Sequence, residues 1–362
     1  MPDYSKSPFL VIWETTQACD LTCKHCRASA QPHPLPGELS FEEGKKLLDD
    51  ISGMGCRIVV LSGGDPLKRP DLYDLIRHGK SNGLRMATIP AATELLQRDV
   101  LFELKEAGAD QVAFSLDFPT AELHDNFRGT PGAYRKTMQA VGWAHEAALP
   151  VQINTTITAL SLPYLEEMGR LVQKFGIVFW EVFFLVPVGR GSALQALTAE
   201  DCERAFEILY RVHKECSFVL KVTEAPHYRR YVAQVEHVKN AMPDRLRQSE
   251  GPGGTVGLAP HAVNAGKGFL FVSYNGDIYS SGFLALAAGN VRQGNLAGVY
   301  RQSRLFQELR SAAILKGKCG ICEYREICGG SRSRAYALTR DYLAEEPWCV
   351  FEPPTSAGQI IS

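Results

Sequence analysis

Three cysteines, Cys19, Cys23 and Cys26, fall within one short stretch at spacings of four and three. A loop this tight can wrap its sulfurs around a single inorganic centre, and thiolates favour zinc or iron–sulfur clusters over hard cations. Three ligands leave a four-iron cluster one short, because each iron takes one outside ligand. One iron then stays open to something that is not protein. A second group, Cys319, Cys322, Cys328 and Cys349, supplies four sulfurs. That is enough for one complete cluster of its own, or for one zinc ion. Cys56, Cys202 and Cys216 stand alone and read as small core or surface residues.

The elements that must position these groups follow from hydrophobic patterning. The apolar run Phe9-Leu10-Val11-Ile12-Trp13 reads as a buried strand leading straight into the first cysteine group. After it, Ser40-Phe41-Glu42-Glu43 is a capping box that opens a helix. Further strands are predicted at 57–62, 84–89, 111–116, 151–157 and 177–185, with helices at 71–82, 95–107, 132–147 and 163–175. Six strand–helix alternations with short connections argue for parallel strands with helices packed outside. They are too few for a closed eight-fold barrel, so the predicted fold is α/β with a partial (β/α)6 TIM-type barrel. In such barrels chemistry sits at the carboxyl ends of the strands. The cysteine loop, Gly63-Gly64, Asp117, Asn154 and Pro187 all lie at or near such ends.

From about Thr198 the pattern changes. Amphipathic helices are predicted at 201–213 and 228–239, and the glycine-rich stretch 249–268 reads as a loop or lid. Tyr274-Asn275-Gly276 between two apolar runs signals a hairpin, and a helix near 305–309 precedes the second cysteine group. The predicted division is 1–197 for the barrel core and 198–265 for a helical linker and lid, then 266–351 for a small α+β domain and 352–362 for a flexible tail.

Composition narrows the function classes. The 362 residues suggest about two domains of roughly 150 residues each. Apolar residues make up 45% and charged residues 22%, with a net charge of -1, so no overall field recruits nucleic acid or an anionic membrane. No apolar run approaches the roughly 18 residues of a membrane span. The N-terminus lacks the basic-then-apolar pattern of a signal peptide. A cytoplasmic location is expected. Ten cysteines in such a chain read as metal ligands and buried thiols rather than disulfides. There is no G-x-x-x-x-G-K phosphate loop and no G-x-S-x-G nucleophile elbow.

Cys-x3-Cys-x2-Cys after the first strand, followed one strand later by Gly63-Gly64-Asp65-Pro66, resembles the radical S-adenosylmethionine superfamily. The resemblance implies that the three thiolates hold a [4Fe–4S] cluster whose open iron binds S-adenosylmethionine. One electron from the cluster then cleaves the sulfonium to a 5′-deoxyadenosyl radical, which abstracts hydrogen from an organic substrate. His25 takes the place of the aromatic residue common before the third cysteine. Gly63, Gly64, Asp65 and Pro66 match the family's Gly-Gly-Glu-Pro, which holds the methionine amino group; Asp65 is one methylene shorter. Ser115, Arg128 and Asn154 are the further residues expected to contact the carboxylate and ribose of S-adenosylmethionine. The second cysteine group resembles the SPASM/twitch-type auxiliary iron–sulfur domain. Ser281 and Ser331 stand where related sequences often carry cysteine, so one auxiliary [4Fe–4S] cluster on four thiolates is expected, with zinc as the alternative.

Within the superfamily the likeness is to the haem-pathway branch, the iron-coproporphyrin decarboxylases and the enzymes of haem d1 precursors. It is carried by Trp13-Glu14-Thr15-Thr16, His25-Cys26-Arg27-Ala28, Ile153-Asn154-Thr155-Thr156, Val186-Pro187-Val188-Gly189-Arg190-Gly191 and Ala225-Pro226-His227-Tyr228. This implies a small-molecule substrate such as a porphyrin or another carboxylate, and a low-potential electron donor such as flavodoxin or ferredoxin. Oxidative decarboxylation of a propionate is one route. Arg190, His227, Tyr228 and Arg229, with Arg230 beside them, are the candidates to bind an acidic substrate. Two rivals stay open. One is a radical maturase of a ribosomally made peptide, although only eight residues precede the first strand, where many maturases carry a leader-binding domain. The other is a non-catalytic zinc or iron–sulfur protein.

Overall fold

The computed structural model describes residues 3–238, 241–243, 246, 259 and 262–354. Most of the stretch read as a lid and the tail beyond residue 354 lie outside the described residues. The expected alternation is present. Strand β1 (Leu10–Glu14) is followed by α1 (Phe41–Gly53), β2 (Ile58–Ser62), α2 (Leu72–Ser81), β3 (Arg85–Thr88), α3 (Arg98–Ala107) and β4 (Gln111–Ser115). Two helices, α4 (Ala121–Arg128) and α5 (Ala133–Glu146), then lead to β5 (Val151–Ile157), α6 (Leu165–Val172), β6 (Phe179–Phe184) and α7 (Ala199–Glu215). The Ser40 hydroxyl accepts from the Glu43 amide while the Glu43 carboxylate accepts from the Ser40 amide, so α1 opens on the predicted capping box.

Before residue 240, two elements were not expected. Helix α4 occupies the connection after β4. A seventh strand, β7 (Val219–Thr223), follows α7 where a helical linker was predicted, and pairs in parallel with β6 before α8 (His227–Val235). Its alternation of Leu220 and Val222 with Lys221 and Thr223 is the period-two pattern of a strand with one face on the core.

The chain then returns to the other side of the sheet. Strand β8 (Phe269–Val272) pairs in parallel with β1, placing Leu10 opposite Phe269 and Trp13 opposite Val272. It turns through the predicted hairpin into β9 (Asp277–Tyr279) and then β10 (Ala287–Asn290), both antiparallel to their neighbours. One ten-stranded sheet results, in the order β10-β9-β8-β1-β2-β3-β4-β5-β6-β7. Strands β10 and β7 are its edges, so the barrel is open. The small helices α9 (Leu296–Gln302), α10 (Arg304–Arg310), α11 (Gly317–Ile321) and α12 (Arg332–Thr339) follow. Among the described residues, no helix is long and apolar enough to cross a membrane.

Alternate strand residues face opposite sides. The outward set, including Val11, Trp13, Val59, Leu61, Val112, Phe114, Trp180 and Val182, packs with Leu47, Leu48, Leu75, Leu104, Leu165 and Phe206 of the helices in one buried core. Each such side chain contributes about 1.5–3 kcal/mol by leaving water. Gly44 lets α1 lie directly on Trp13, because a Cβ there would overlap the indole ring. The inward set lines the site.

The distal part is tied down by a buried ion pair. Arg334 Nη1 lies 3.0 Å from Glu346 Oε1, both side chains are sealed from solvent, and the guanidinium sits 3.9 Å above the Trp348 ring. Arg334 Nη2 also donates to the Glu224 carbonyl at 2.7 Å. Burial pushes the Glu346 carboxyl up, but Arg334 and its neighbours outweigh this and hold it low. Replacing Arg334 with Leu is expected to destabilise the protein by about 3–5 kcal/mol by stranding a buried carboxylate. Thermal unfolding checks this, and Arg334→Leu combined with Glu346→Leu is expected to recover part of the loss. His227 is buried nearby, and burial pushes its pKa down to about 3. Below about 6.5 the unfolded chain takes up a proton that the folded chain refuses. Stability therefore falls as pH drops from about 6.5 toward the folded value, by up to about 1.4 kcal/mol per pH unit. A series of unfolding midpoints against pH is expected to flatten in His227→Phe.

Candidate active site

The loop carrying Cys19, Cys23 and Cys26 leaves the carboxyl end of β1 and has no regular structure of its own. Its backbone is held from several directions. The Cys19 amide donates to the Gln31 carbonyl at 2.7 Å. From β2, the Gly64 amide donates to the Thr16 carbonyl at 2.8 Å and the Asp65 amide to the Ala18 carbonyl at 2.7 Å. A Cβ on Gly63 would overlap the Thr16 carbonyl oxygen and one on Gly64 the Ala18 carbonyl oxygen, so both positions require glycine. From the end of α4, the Phe127 carbonyl accepts the Lys24 amide at 2.9 Å and the Gly129 carbonyl accepts the Thr22 hydroxyl at 2.9 Å.

The strongest clasp comes from beyond β6. The Arg190 amide donates to the Cys26 carbonyl at 3.0 Å, Nε to the Cys23 carbonyl at 2.8 Å and Nη1 to the Ala30 carbonyl at 3.1 Å. Gly189 precedes it with a positive φ, and a Cβ there would strike the Arg27 and Cys26 carbonyls. Arg190, expected to hold substrate, is therefore committed mainly to the cysteine loop.

The sulfurs themselves are bonded. Cys19 Sγ accepts from the Leu21 amide and Cys26 Sγ from the Ala30 amide, each at 3.4 Å. Arg128 Nη1 lies 3.7 Å from Cys23 Sγ, while its Nε donates to Asp117 Oδ2 at 2.7 Å. Burial alone would raise Asp117, but Arg128 outweighs it and keeps the carboxyl below its usual range. Burial pushes the Cys19 thiol up to about 12 and raises Cys23 as well, against the pull of Arg128. Thiols in such surroundings ionise when cationic iron offsets their charge. His25 stacks on Phe127 with ring centroids 4.5 Å apart, and burial drives its pKa down to about 3. His124 accepts the Asp117 amide and is pushed by burial to about 4. Both imidazoles are neutral.

The loop forms one wall of a cavity of about 370 Å³ inside the open barrel, within the size range of small-molecule sites. Gly63, Gly64, Ser115, Arg128 and Asn154 line it together with the three cysteines, His25, Arg190 and Arg229. Asp65 and Pro66 are not among its lining residues. The Asp65 carboxylate instead accepts from the Leu67 and Ala91 amides and the Thr93 hydroxyl, bracing the loop after β3. Of the four residues expected to bind substrate, Arg190 and Arg229 reach the cavity. His227 and Tyr228 pack on Phe206, with centroids 4.8 and 5.4 Å away, and do not line it. Arg229 donates to the Ile327 and Val263 carbonyls.

Sequence reasoning missed several cavity residues. Gln111, Gln152, Glu181 and Lys221 line it from β4 to β7, and Glu224 follows them. The signal was available, because polar residues alternating with apolar ones on barrel strands face the interior. Arg27 also lines the cavity, paired with Glu14 and 4.7 Å above the Phe271 ring.

Cys319, Cys322, Cys328 and Cys349 line a second, much smaller cavity with His227, Arg230 and Lys318. Backbone amides of Glu346, Tyr324 and Gly330 donate to Cys319, Cys322 and Cys328 Sγ at 3.3–3.4 Å. Ser281 and Ser331 add no ligand. Their hydroxyls, with that of Ser333, bond the Glu224 carboxylate. Among the described residues, no three His, Cys, Asp or Glu side chains form a group suited to a single metal ion. The donor sets, all thiol and furnished with N–H donors to sulfur, fit iron–sulfur clusters.

Residues 13–173 match the family described as the Radical SAM superfamily. Over 357 residues the chain is 39% identical to the AdoMet-dependent heme synthase of Oleidesulfovibrio alaskensis, covering 98% of this chain and 90% of that protein. It belongs to the radical SAM superfamily. The AdoMet-dependent heme synthase of Methanosarcina barkeri is 38% identical, with 96% of this chain and 98% of that protein covered. Among solved structures, Streptococcus suis SuiB bound to S-adenosylmethionine matches with a TM-score of 0.73 over 96% of this chain and 78% of that one, at 16% identity. This likeness supports the fold. The chain is thus a radical SAM enzyme, and membership removes the non-catalytic zinc protein as a rival.

Replacing Arg190 with Leu removes two side-chain bonds to loop carbonyls, each worth about 1.5–3 kcal/mol as a hydrogen bond to a charged group. The variant is expected to lose iron from the three-cysteine loop faster than the wild type under chelator challenge, followed by the cluster's absorbance. Arg190→Lys is not expected to restore retention, because an ammonium cannot span both carbonyls.

Proposed function

We propose that this radical SAM enzyme oxidatively decarboxylates propionate side chains of an iron tetrapyrrole. The observation that carries the reading is the near-full-length likeness to two proteins named as AdoMet-dependent heme synthases. The cavity supports it, since it joins the cluster loop to a wall that carries both apolar and charged groups.

When bound on Cys19, Cys23 and Cys26, the cluster and S-adenosylmethionine supply a 5′-deoxyadenosyl radical. The protein's own residues do the rest. Gly63 and Gly64 keep the backbone bare beside the loop so that a ligand can approach it. Ser115 offers a hydroxyl to S-adenosylmethionine from the end of β4, and Asn154 an amide from the middle of β5. Arg128 stays charged beside Cys23. Removing a hydrogen atom and then carbon dioxide from a propionate leaves one electron over. The four distal cysteines, read as holding one auxiliary [4Fe–4S] cluster, lie beyond Arg229 and Asn264, whose side chains line the cavity while bonding the backbone at Ile327 and Cys328. They offer a place for that electron. A small low-potential carrier such as flavodoxin or ferredoxin is the proposed donor.

The test is anaerobic reconstitution followed by incubation with iron-coproporphyrin III, S-adenosylmethionine and reductant. About eight irons per chain are expected for two clusters, and about four would remove the auxiliary one. Mass spectrometry is expected to show porphyrin products successively lighter by the elements of formic acid. Unchanged porphyrin alongside 5′-deoxyadenosine would sink the tetrapyrrole reading and favour the peptide-maturase alternative.

A further inference from the structure

The inward faces of the barrel strands are not alike. Leu10, Ile12, Ile58, Val60, Ala87 and Phe271 make the half contributed by β1, β2, β3 and β8 apolar. The half contributed by β4 to β7 carries Gln111, Gln152, Asn154, Glu181, Lys221 and Thr223, polar groups set among Ala113, Phe179 and Phe183. A flat substrate with an alkyl edge and an acidic edge fits such a cavity in one orientation, its acidic edge toward β4–β7.

The cations facing the cavity differ in how far they are committed. Arg27 is paired with Glu14 and stacked on Phe271. Arg128 is bound to Asp117 and Cys23. Arg190 holds carbonyls of the cysteine loop, and Arg229 holds those of Ile327 and Val263. Lys221 has a single ion pair, 2.8 Å to Glu181 Oε1. An ammonium carries three donors, so two remain for a ligand. Glu181 does not depend on Lys221 alone. It also accepts from the Thr223 hydroxyl at 2.6 Å and from the Gln152 amide at 3.0 Å. Gln152 is itself held by the Gln111 amide at 2.7 Å. The carboxylate therefore stays satisfied while the lysine turns to a second anion.

On the tetrapyrrole reading above, we infer that Lys221 is the anchor for a substrate carboxylate, and that Glu181, fixed by Thr223 and Gln152, positions its ammonium. The anchored acid group sits on the polar half, and the ring's alkyl edge lies against the apolar half. Lys221 thereby selects substrates that carry a carboxylate on the edge facing β7.

The test is a titration of the reconstituted enzyme with iron-coproporphyrin III, followed by the porphyrin's absorbance and paired with KM for the same substrate. Lys221→Met is expected to weaken binding and raise KM about tenfold or more, as fits loss of a hydrogen bond to a charged group. Lys221→Arg is expected to retain most of the affinity, and both variants to keep the wild-type iron content. The methyl-esterified porphyrin is expected to bind the wild type and Lys221→Met equally weakly. If wild-type enzyme binds and converts iron-coproporphyrin III while Lys221→Met does so with unchanged affinity and KM, the anchor is overturned and the function stands. If the wild type binds no porphyrin, the function falls and the anchor with it.

Discussion

A buried irregular loop must have its backbone polar groups satisfied, and the cysteine loop meets this requirement with partners drawn from separate parts of the barrel. Gly64 and Asp65 after β2, Phe127 and Gly129 at the end of α4, and Arg190 after β6 each bond a different part of it. The position of the three sulfurs is therefore a property of the sheet, not of the loop. Any change in the relative placement of β1, β2, β4 and β6 would move a thiol. This accounts for the glycines at 63, 64 and 189, where a side chain would force the flanking backbone away from the loop. It also accounts for Arg190 as an arginine. A guanidinium can donate through Nε and Nη1 to carbonyls in different directions, which an ammonium at the end of a flexible stem cannot do in a fixed geometry.

The same crowding shapes the electrostatics beside the loop. His25 and His124 are held neutral by burial, and Arg128 and Asp117 are held ionised by each other. None of these four side chains titrates near neutrality. Farther along the cavity, Lys221, Glu181, Arg27 and Glu14 form ion pairs lining the wall, so a ligand's charge competes with partners already in place. Selectivity in such a site comes from how readily each cation can be shared, and the least shared carries the most weight.

Much of the fold was legible because strand and helix periods differ. The six alternations, the capping box at Ser40 and the hairpin around Asn275-Gly276 each carry a local signal that tertiary packing did not override. Strand β7 was missed although Leu220, Lys221, Val222 and Thr223 alternate, because it follows the long helix α7 and lies beside polar segments. Helix α4 was missed because its eight residues bury only His124, Phe127 and Arg128. Of the site, the cysteine group was readable from spacing and Gly63-Gly64 from the family resemblance, and the structure brings both to one cavity. Asp65 was not, since its role depends on Thr93 and Ala91 across a loop. His227 and Tyr228 looked like substrate-binding residues, but they pack beside Phe206, and His227 lines the smaller cysteine cavity instead. Only three-dimensional neighbours distinguish a buried aromatic face from an exposed one.

The distal region is built into the same frame. Pairing of β8 with β1 makes Phe269 and Phe271 part of the cavity wall, so the auxiliary part of the chain shapes the space above the cysteine loop. Glu224 carries the connection further. It lies just after β7 with a positive φ of 58°, and its carboxylate gathers hydroxyls from Ser281, Ser331 and Ser333. Ser281 and Ser331 are the two that the resemblance to the SPASM/twitch-type domain implies at positions often held by cysteine. A cluster at that point would cross-link the hairpin region to α12 through iron. Here a carboxylate cross-links the same segments through hydrogen bonds, and Arg334 from α12 returns a bond to the Glu224 carbonyl. Each bond is weaker than metal ligation, but together they hold the hydroxyls of all three serines. The wall of the cavity is thus closed at Ser281 by hydrogen bonds, apart from the four distal cysteines, which line a small cavity of their own.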